Sequence, residues 1–130
     1  MELLIDVRWL LDRQERVLGK DLEVHDYSVL VAAVSRHRVN TPNLDVGEPD
    51  AYWRAAVLLD TIVLQRPLPA RNELYGYAVA VAYIEASGET VAASREAWIQ
   101  LVEDIKAIRL TSYDIADRLR SWRAPSATDS

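Results

Sequence analysis

The sequence predicts an all-α protein, a compact bundle of about six helices around a central buried helix with at most one short β-hairpin. Two patterns predict this class. Apolar residues recur three and four positions apart along most of the chain, which is the period of an amphipathic helix. Residues that favour helix ends separate these stretches. Half of the 130 residues are apolar, so the chain can bury the core of one domain.

The first two helices are predicted before residue 40. The first has its apolar positions at Leu3, Leu4, Val7, Leu10 and Leu11, and Gly19 ends it. The second begins after Asp26, whose carboxylate is suited to an N-cap. Residues 40–49 are dense in turn formers and predict a loop. Val39, just before it, and residues 44–46 are the segments that would form the one short hairpin.

The third helix is predicted to open at Pro49 and to continue to about Leu64. A tight loop containing Pro67 and Pro69 follows. The next helix is predicted to start at Pro69, to run to about residue 86 and to close at Gly88. Because it is apolar on most sides, we expect this fourth helix to be the central, buried one.

Two further helices complete the predicted domain. Ser94 can cap the fifth helix, and Thr111 with Asp114 forms a start similar to a capping box for the sixth. Trp98 and Trp122 are expected in the core. The predicted domain covers residues 1–123, and the small, polar segment from Ala124 to residue 130 is expected to be a disordered tail.

Composition excludes several classes of function. A net charge of -5 argues against non-specific nucleic-acid binding, which needs a basic face. The absence of cysteine excludes disulfides and thiolate zinc sites. The N-terminal residues lack the features of a signal peptide, and no apolar run approaches the ~20 residues that span a bilayer. We therefore expect a cytoplasmic protein without a membrane or nucleic-acid partner.

The loop from Arg66 to Arg71 is the main candidate site. It precedes a helix, and the free backbone N–H groups of a helix N-terminus favour an anion. Arg66, Arg71 and Asn72 are therefore the candidate phosphate-binding residues. The alternative is an interhelical loop whose arginines are solvated or paired with Glu73 and nearby acids.

This loop and the helix after it resemble the signature of the Fic/Doc family, His-Pro-Phe-x-Asp-Gly-Asn-x-Arg. The corresponding residues are 66–74, and the helix ends at Ser87–Gly88 as in that family. The resemblance extends over about residues 26–122. It implies a short, Doc-like toxin component of a bacterial toxin–antitoxin system, with an antitoxin as its partner. An active member of the family uses Mg-ATP to transfer AMP or phosphate to a protein hydroxyl.

The residues that align with the signature differ from it at the positions that perform the family's chemistry. Arg66 replaces the histidine that acts as base, and arginine cannot accept a proton. Ala70 replaces the acidic residue that holds Mg²⁺, and Leu74 replaces the arginine that pairs with phosphate. Asn72 matches. We expect a pseudoenzyme in which Arg66 and Asn72 remain from the degenerate catalytic loop, and only the resemblance implies ATP with Mg²⁺.

Aromatic residues around the loop have two interpretations. Tyr52, Trp53 and Tyr75, with Leu44 from the expected flap, are the candidate groove for a partner segment, because aromatic residues are enriched in interfaces. Tyr77 belongs to the same set. At helical spacing the same residues are equally expected in the core.

The two histidines do not predict a metal site. Zinc needs three or four converging ligands, and the spacing of His25 and His37 supplies no such set. We expect His37 to be structural. Two alternatives to the toxin hypothesis stay open: a non-catalytic helical binding or scaffold module that senses an anionic ligand, and an unrelated helical bundle.

Overall fold

The computed structural model describes residues 3–19, 23–39 and 50–125. These residues contain six α-helices and no β-strand, which confirms the predicted all-α class. The helices are α1 (Val7–Leu18), α2 (Tyr27–Arg38), α3 (Ala51–Gln65), α4 (Asn72–Ala86), α5 (Arg95–Lys106) and α6 (Ser112–Ser121). None of the described helices is long and apolar enough to cross a membrane.

The predicted helix starts are confirmed at three positions. The side chains of Asp26 and Ser94 accept hydrogen bonds from the first turns of α2 and α5. Thr111 and Asp114 form a complete capping box at α6. Pro49 lies outside the described residues, and Asp50 caps α3 by accepting a hydrogen bond from the backbone N–H of Trp53. Short polar side chains therefore set these boundaries locally.

The predicted glycine stops are also confirmed. Gly19 follows α1 with φ +76°, and Gly88 follows α4 with φ +86°. At the end of α4 the N–H of Gly88 binds the carbonyl of Glu85, and the N–H of Glu89 binds that of Ile84. This pair of bonds is a Schellman motif, and its left-handed residue is easiest for glycine.

The central helix is α3, not the fourth helix as predicted. Every α3 residue from Tyr52 to Val63 is buried, and α3 packs against α2, α4, α5 and α6. α4 packs mainly on α3 and α1, and Tyr77, outside these contacts, is 37% exposed. Apolarity around a helix therefore did not distinguish the central helix from its neighbour, because small residues of α4 remain partly exposed.

α4 also begins later than predicted. Its first residue is Asn72, and Pro69 lies in the preceding loop. Arg71 adopts the left-handed conformation with φ 62° and ψ 29°, which breaks a right-handed helix at that residue. The helix therefore cannot extend back to Pro69.

The N-terminal segment before α1 is bound to the rest of the bundle by side chains. His37 Nε2 accepts a hydrogen bond from the backbone N–H of Ile5 at 2.9 Å, and Arg38 donates to the Ile5 carbonyl at 2.8 Å. The hydroxyl of Tyr83 donates to the Leu3 carbonyl, and that of Tyr75 to the Leu10 carbonyl. These bonds hold α1 and the segment before it against α2 and α4.

Two of the predictions for irregular segments concern residues that are described only in part. The expected hairpin pairs Val39, the residue after α2, with residues 44–46, and its second segment, with Leu44, lies outside the described residues. The expected tail begins at Ala124, whose N–H donates to the Thr90 carbonyl at 2.8 Å. Val91 and Arg123 form an isolated antiparallel β-bridge beside it. Ala124 is thus held by the bundle, and residues 126–130 lie outside the described residues.

Candidate functional site

The loop of residues 66–71 connects α3 to α4 through two left-handed residues. Arg66 ends α3 with φ 50°, and Arg71 precedes α4 with φ 62°. Between them, the side chain of Leu68 is buried in the core. The Pro67 carbonyl accepts a hydrogen bond from the backbone N–H of His25 at 3.0 Å. The buried Leu68 side chain and the hydrogen bond from His25 therefore both fix the loop to the rest of the bundle.

Asn72 holds this loop together and does not face a ligand. Its Oδ1 accepts from the N–H of Leu68, and its Nδ2 donates to the Leu68 carbonyl, each at 2.9 Å. The residue is fully buried. These two bonds fix the amide of Asn72 inside the fold and give it a structural role, while phosphate binding by Asn72 stays a prediction.

Arg66 is paired with an acid, as in the second interpretation of the loop. Arg66 donates to Glu73 at 2.7 Å, and Lys106 from α5 lies 3.4 Å from the same carboxylate. The hydrogen bond from Arg66 lowers the pKa of Glu73. Glu73 lies in the first turn of α4, so a carboxylate of the chain already supplies the negative charge that a helix N-terminus favours.

Arg71 is the one predicted phosphate residue that stays open to a ligand. It is exposed, and it forms no ion pair or side-chain hydrogen bond within residues 3–19, 23–39 and 50–125. The structure thus does not combine Arg66, Arg71 and Asn72 in one anion site. Arg66 is paired, Asn72 is buried and Arg71 is exposed to solvent. A single exposed arginine is a weak anion site.

The candidate groove aromatics are core residues. Tyr52 is 3% exposed, Trp53 9% and Tyr75 0%, so none of the three lines an open groove. Trp53 packs against Tyr113 of α6 with ring centroids 4.7 Å apart. The physical reason is the central place of α3, which buries both of its aromatics, and the position of Tyr75 against α1.

The histidines are structural or solvated. His37 is buried, its Nε2 accepts from Ile5, and its Nδ1 bonds the Val34 carbonyl. Burial lowers its pKa, and the nearby guanidinium of Arg38 adds to that effect. His25 is exposed on the segment before α2. Among the residues that the structure describes, no three His, Asp or Glu side chains are placed to hold a metal ion.

A groove of about 590 Å³ opens between α4 and α5, and we call it the α4–α5 groove. Most of its surface is apolar, with charged residues at its edges. The residues that line it are Glu73, Leu74, Tyr77, Ala93, Arg95, Trp98, Ile99, Val102 and Glu103. The edge-to-face pair of Tyr77 and Trp98, with centroids 4.9 Å apart, joins the two helices.

The two walls of the groove run antiparallel. Glu73 at the start of α4 contacts Lys106 at the end of α5, whereas Tyr77 one turn later contacts Trp98 in the first half of α5. Side chains at the upper edges are open to solvent, with Ile99 50% and Tyr77 37% exposed. Exposed large apolar residues that border one concave surface are typical of a binding site.

Sequence reasoning missed the α5 half of this groove. It assigned Trp98 to the core, which is confirmed by its 7% exposure, but the outer edge of the same residue lines the groove. The sequence contains a signal for this half, namely Ile99. It follows Trp98 directly and makes the apolar face of α5 wider than packing against the core alone requires.

A polar cluster around the buried Asp60 was also missed. Asp60 of α3 lies 3.5 Å from Arg36 of α2 and accepts a hydrogen bond from Ser112 of α6 at 3.4 Å. Arg36 also donates to Thr61 at 2.7 Å. Burial raises the pKa of Asp60. Since these groups satisfy one another across three helices, the cluster is a structural link and not an open site.

Comparison of the chain with models of known protein families finds no match. Comparison with curated proteins finds none either. The functional assignment therefore has to come from the groove and the loop themselves.

Proposed function

We propose that this chain is a non-catalytic helical binding module whose binding site is the α4–α5 groove. The observation that carries the proposal is the groove itself, which holds a continuous apolar surface with half-exposed Ile99 and Tyr77 at its edges. A few residues supply most of the energy of protein recognition, with Tyr and Trp enriched among them, and the groove presents Tyr77 and Trp98. The ligand of such a module is a protein segment.

Catalysis at the loop of residues 66–71 is not part of this proposal. Arg66 cannot act as a base, and its charge is directed to Glu73. Ala70 offers no atom to a metal ion, and the amide of Asn72 is bound inside the loop. These residues support a loop that positions α4, which forms one wall of the groove.

Calorimetric titration with ATP and AMP, each with and without Mg²⁺, tests that exclusion. We expect no binding heat at millimolar ligand, because the Glu73 carboxylate neutralises the start of α4 and repels an incoming phosphate. Binding in the unmodified protein that disappears in Arg71→Ala would contradict the proposal. Arg71→Ala is the suitable probe because Asn72→Ala would also loosen the loop.

Site-specific photo-crosslinking in the source cells tests partner binding. A photoreactive side chain at position 99 should yield a protein adduct of defined mass, and one at position 31 should not. Val31 is the matched control because it is 54% exposed on α2, away from the groove. The position-99 adduct should disappear when Tyr77→Asp places a charge in the groove. Equal adducts at both positions, or none at position 99, would overturn the proposal.

A toxin component of a toxin–antitoxin system is the second candidate. It is favoured by the order of loop, helix and Gly88 stop, which follows the resemblance to Fic/Doc proteins. The groove would then hold an antitoxin segment, and the protein would act in the cytoplasm. Partner binding does not need the replaced histidine and acid, so this candidate is compatible with a pseudoenzyme.

Growth of a bacterial host during expression tests whether the chain is an active toxin. A toxin component should slow growth, and co-expression of its antitoxin should restore it. The arrest should persist in Arg66→Ala/Arg71→Ala if the toxic effect does not use phosphate binding by the loop. Unimpaired growth at high expression would exclude an active toxin, and it is the result expected both of the binding module and of a pseudoenzyme that only binds an antitoxin.

A further inference from the structure

Residues 3–6, which we call the N-terminal strap, precede α1 and are held by side chains of α2 and α4. His37 and Arg38 of α2 bind the N–H and the carbonyl of Ile5, at 2.9 Å and 2.8 Å. The Tyr83 hydroxyl of α4 donates to a second carbonyl of the strap. The side chain of Ile5 is buried. One apolar side chain and three hydrogen bonds to the backbone therefore fix the strap.

The two ring nitrogens of His37 face backbone groups that determine its protonation state. Nδ1 lies against the carbonyl of Val34, which can only accept, so Nδ1 carries the proton. Nε2 lies against the N–H of Ile5, which can only donate, so Nε2 is the unprotonated acceptor. Both bonds can form only with the neutral imidazole. In the charged form, two N–H groups would face each other at Nε2.

The groups around the imidazole oppose its protonation while the strap is closed. His37 is fully buried, and burial disfavours the charged form. Arg38 on the same helix and Arg54 of α3, which donates to the His37 carbonyl, place positive charge nearby. From α4, the neutral ring of Tyr83 meets the imidazole edge to face, with centroids 6.0 Å apart. Asp6 of the strap is exposed, and its carboxylate accepts from the first turn of α1.

α1 has attachments of its own, so the strap can open without it. Leu10 and Leu18 of α1 are buried in the core, and the Tyr75 hydroxyl donates to the Leu10 carbonyl at 2.7 Å. The strap contributes a single buried side chain, that of Ile5. Segments with few buried apolar contacts open at a lower free energy than the core around them. We therefore expect the strap to open before α1 does.

From this geometry we propose that the strap is released by acid: protonation of His37 frees residues 3–6 from α2 and α4 while the six helices stay packed. Opening lets the charged imidazole and the N–H of Ile5 both bond to water, which removes the conflict between two donors. Neutral His37 and the buried Ile5 side chain keep the strap closed at higher pH. This device is separate from the α4–α5 groove and does not depend on the proposed function.

The open strap should become more populated as the pH falls. Burial lowers the pKa of His37 in the closed form, whereas in the open form the ring titrates near its usual 6.5. The open form therefore binds more protons, and its population rises as the pH falls through 6.5. Between pH 7.5 and 5.5 the increase is at most about tenfold.

Amide hydrogen exchange of the full chain, followed residue by residue by NMR at pH 7.5 and 5.5, tests the proposal. The amide of Ile5 reports on the strap, that of Gln14 on α1 and that of Leu59 on the central helix. The protection factor of Ile5 should be at least about tenfold below the other two, and it should fall about three- to tenfold at pH 5.5. A factor for Ile5 that equals that of Gln14 or Leu59, or that does not change with pH, would overturn the proposal.

Three variants separate His37 from other causes. His37→Gln keeps an acceptor and cannot be protonated, so the pH dependence at Ile5 should vanish. His25→Gln, at an exposed position, should behave like the unmodified chain. Tyr83→Phe removes one bond to the strap and leaves His37 in place, so Ile5 should be less protected at both pH values and keep its pH dependence. A pH dependence that persists in His37→Gln, or full protection of Ile5 in Tyr83→Phe, would also contradict the release of the strap.

Discussion

Ile108 has a backbone conformation that is rare for a β-branched residue. It has φ 57° and is 77% exposed at the end of α5. Its N–H binds the Ile105 carbonyl, and that of Arg109 binds the Asp104 carbonyl. This is the Schellman pattern that α4 completes with Gly88. A β-branched residue thus occupies a position suited to glycine.

Replacing Ile108 by glycine should stabilise the protein. Because glycine has no Cβ, the substitution removes the strain of the left-handed conformation, which is about 1–2 kcal/mol. The greater freedom of glycine in the unfolded chain takes back about 0.5–1 kcal/mol. We expect a net gain of about 0.5–1 kcal/mol in the free energy of unfolding, measured with urea. Gly88→Ala is the converse control and should lose about 1 kcal/mol. A loss of stability in Ile108→Gly would show that the isoleucine makes contacts worth more than its strain.

Asn72→Ala should destabilise the fold without a specific effect on any anion. The change leaves the N–H and C=O of the buried Leu68 without partners. Unsatisfied buried polar groups cost about 1–3 kcal/mol each, so we expect about 2–3 kcal/mol from urea denaturation. Arg71→Ala, one residue earlier and exposed, should change stability by less than about 0.5 kcal/mol. Equal stability of the two variants would contradict the structural role of Asn72.

At the level of elements, the pairing of α3 and α4 depends on one small residue. A Cβ built on Gly76 would lie 3.1 Å from Leu59 Cδ1 and 3.1 Å from Val63 Cγ2. The two helices therefore approach closely where α4 crosses the central helix. α4 in turn carries the groove wall with Tyr77, the residue after Gly76. The contact thus positions one side of the candidate site.

Gly76→Val should force α4 away from α3. Larger side chains in a packed interface typically cost about 1–3 kcal/mol, and we expect about 2–3 kcal/mol here. Ala82→Val, on a partly exposed side of the same helix, should cost about 0.5 kcal/mol through helix propensity. Urea denaturation measures both variants. If Gly76→Val is no worse than Ala82→Val, the close approach of the helices does not limit their packing.

At the level of the whole molecule, α1 is joined to the bundle by side chains from two other helices. His37 and Arg38 of α2 bind the backbone of Ile5, and Tyr83 and Tyr75 of α4 bind carbonyls before and within α1. His37 accepts the N–H of Ile5 only when Nε2 carries no proton. The attachment of the N-terminal segment is therefore coupled to pH.

Stability should fall in mild acid because of His37. Burial lowers its pKa below the usual 6.5, so near that pH the unfolded chain binds a proton that the folded chain does not. This stabilisation is complete above about pH 6.5 and is lost progressively as the pH falls towards the lowered pKa. The charged groups that face the ring, Arg38 and Arg54, also disfavour its protonated form.

Urea denaturation at pH 5.5 and 7.5 measures this effect when the unmodified protein is compared with His37→Gln. The difference in unfolding free energy between the two pH values should be smaller in His37→Gln and unchanged in His25→Gln, where the histidine is exposed. Asp60 has a raised pKa and an opposite pH dependence, but it is common to all three proteins and cancels. An unchanged pH difference in His37→Gln would refute the role of His37.

Several helix boundaries are determined by the local sequence. Asp26, Ser94 and Thr111 act through hydrogen bonds to N–H groups two or three residues away, and Gly88 acts through its own φ. Such interactions involve residues only a few positions apart, so they can be predicted from the sequence. The all-α class follows from the same local signals.

Which helix is central, and where the candidate site lies, was decided only by the tertiary structure. Burial of all sides of α3, the internal use of Asn72 and the pairing of Arg66 with Glu73 depend on neighbours in space. The α4–α5 groove exists because two antiparallel helices leave apolar edges uncovered. Burial and ion pairing depend on distances between segments, and residue types and their spacing along a chain do not specify those distances.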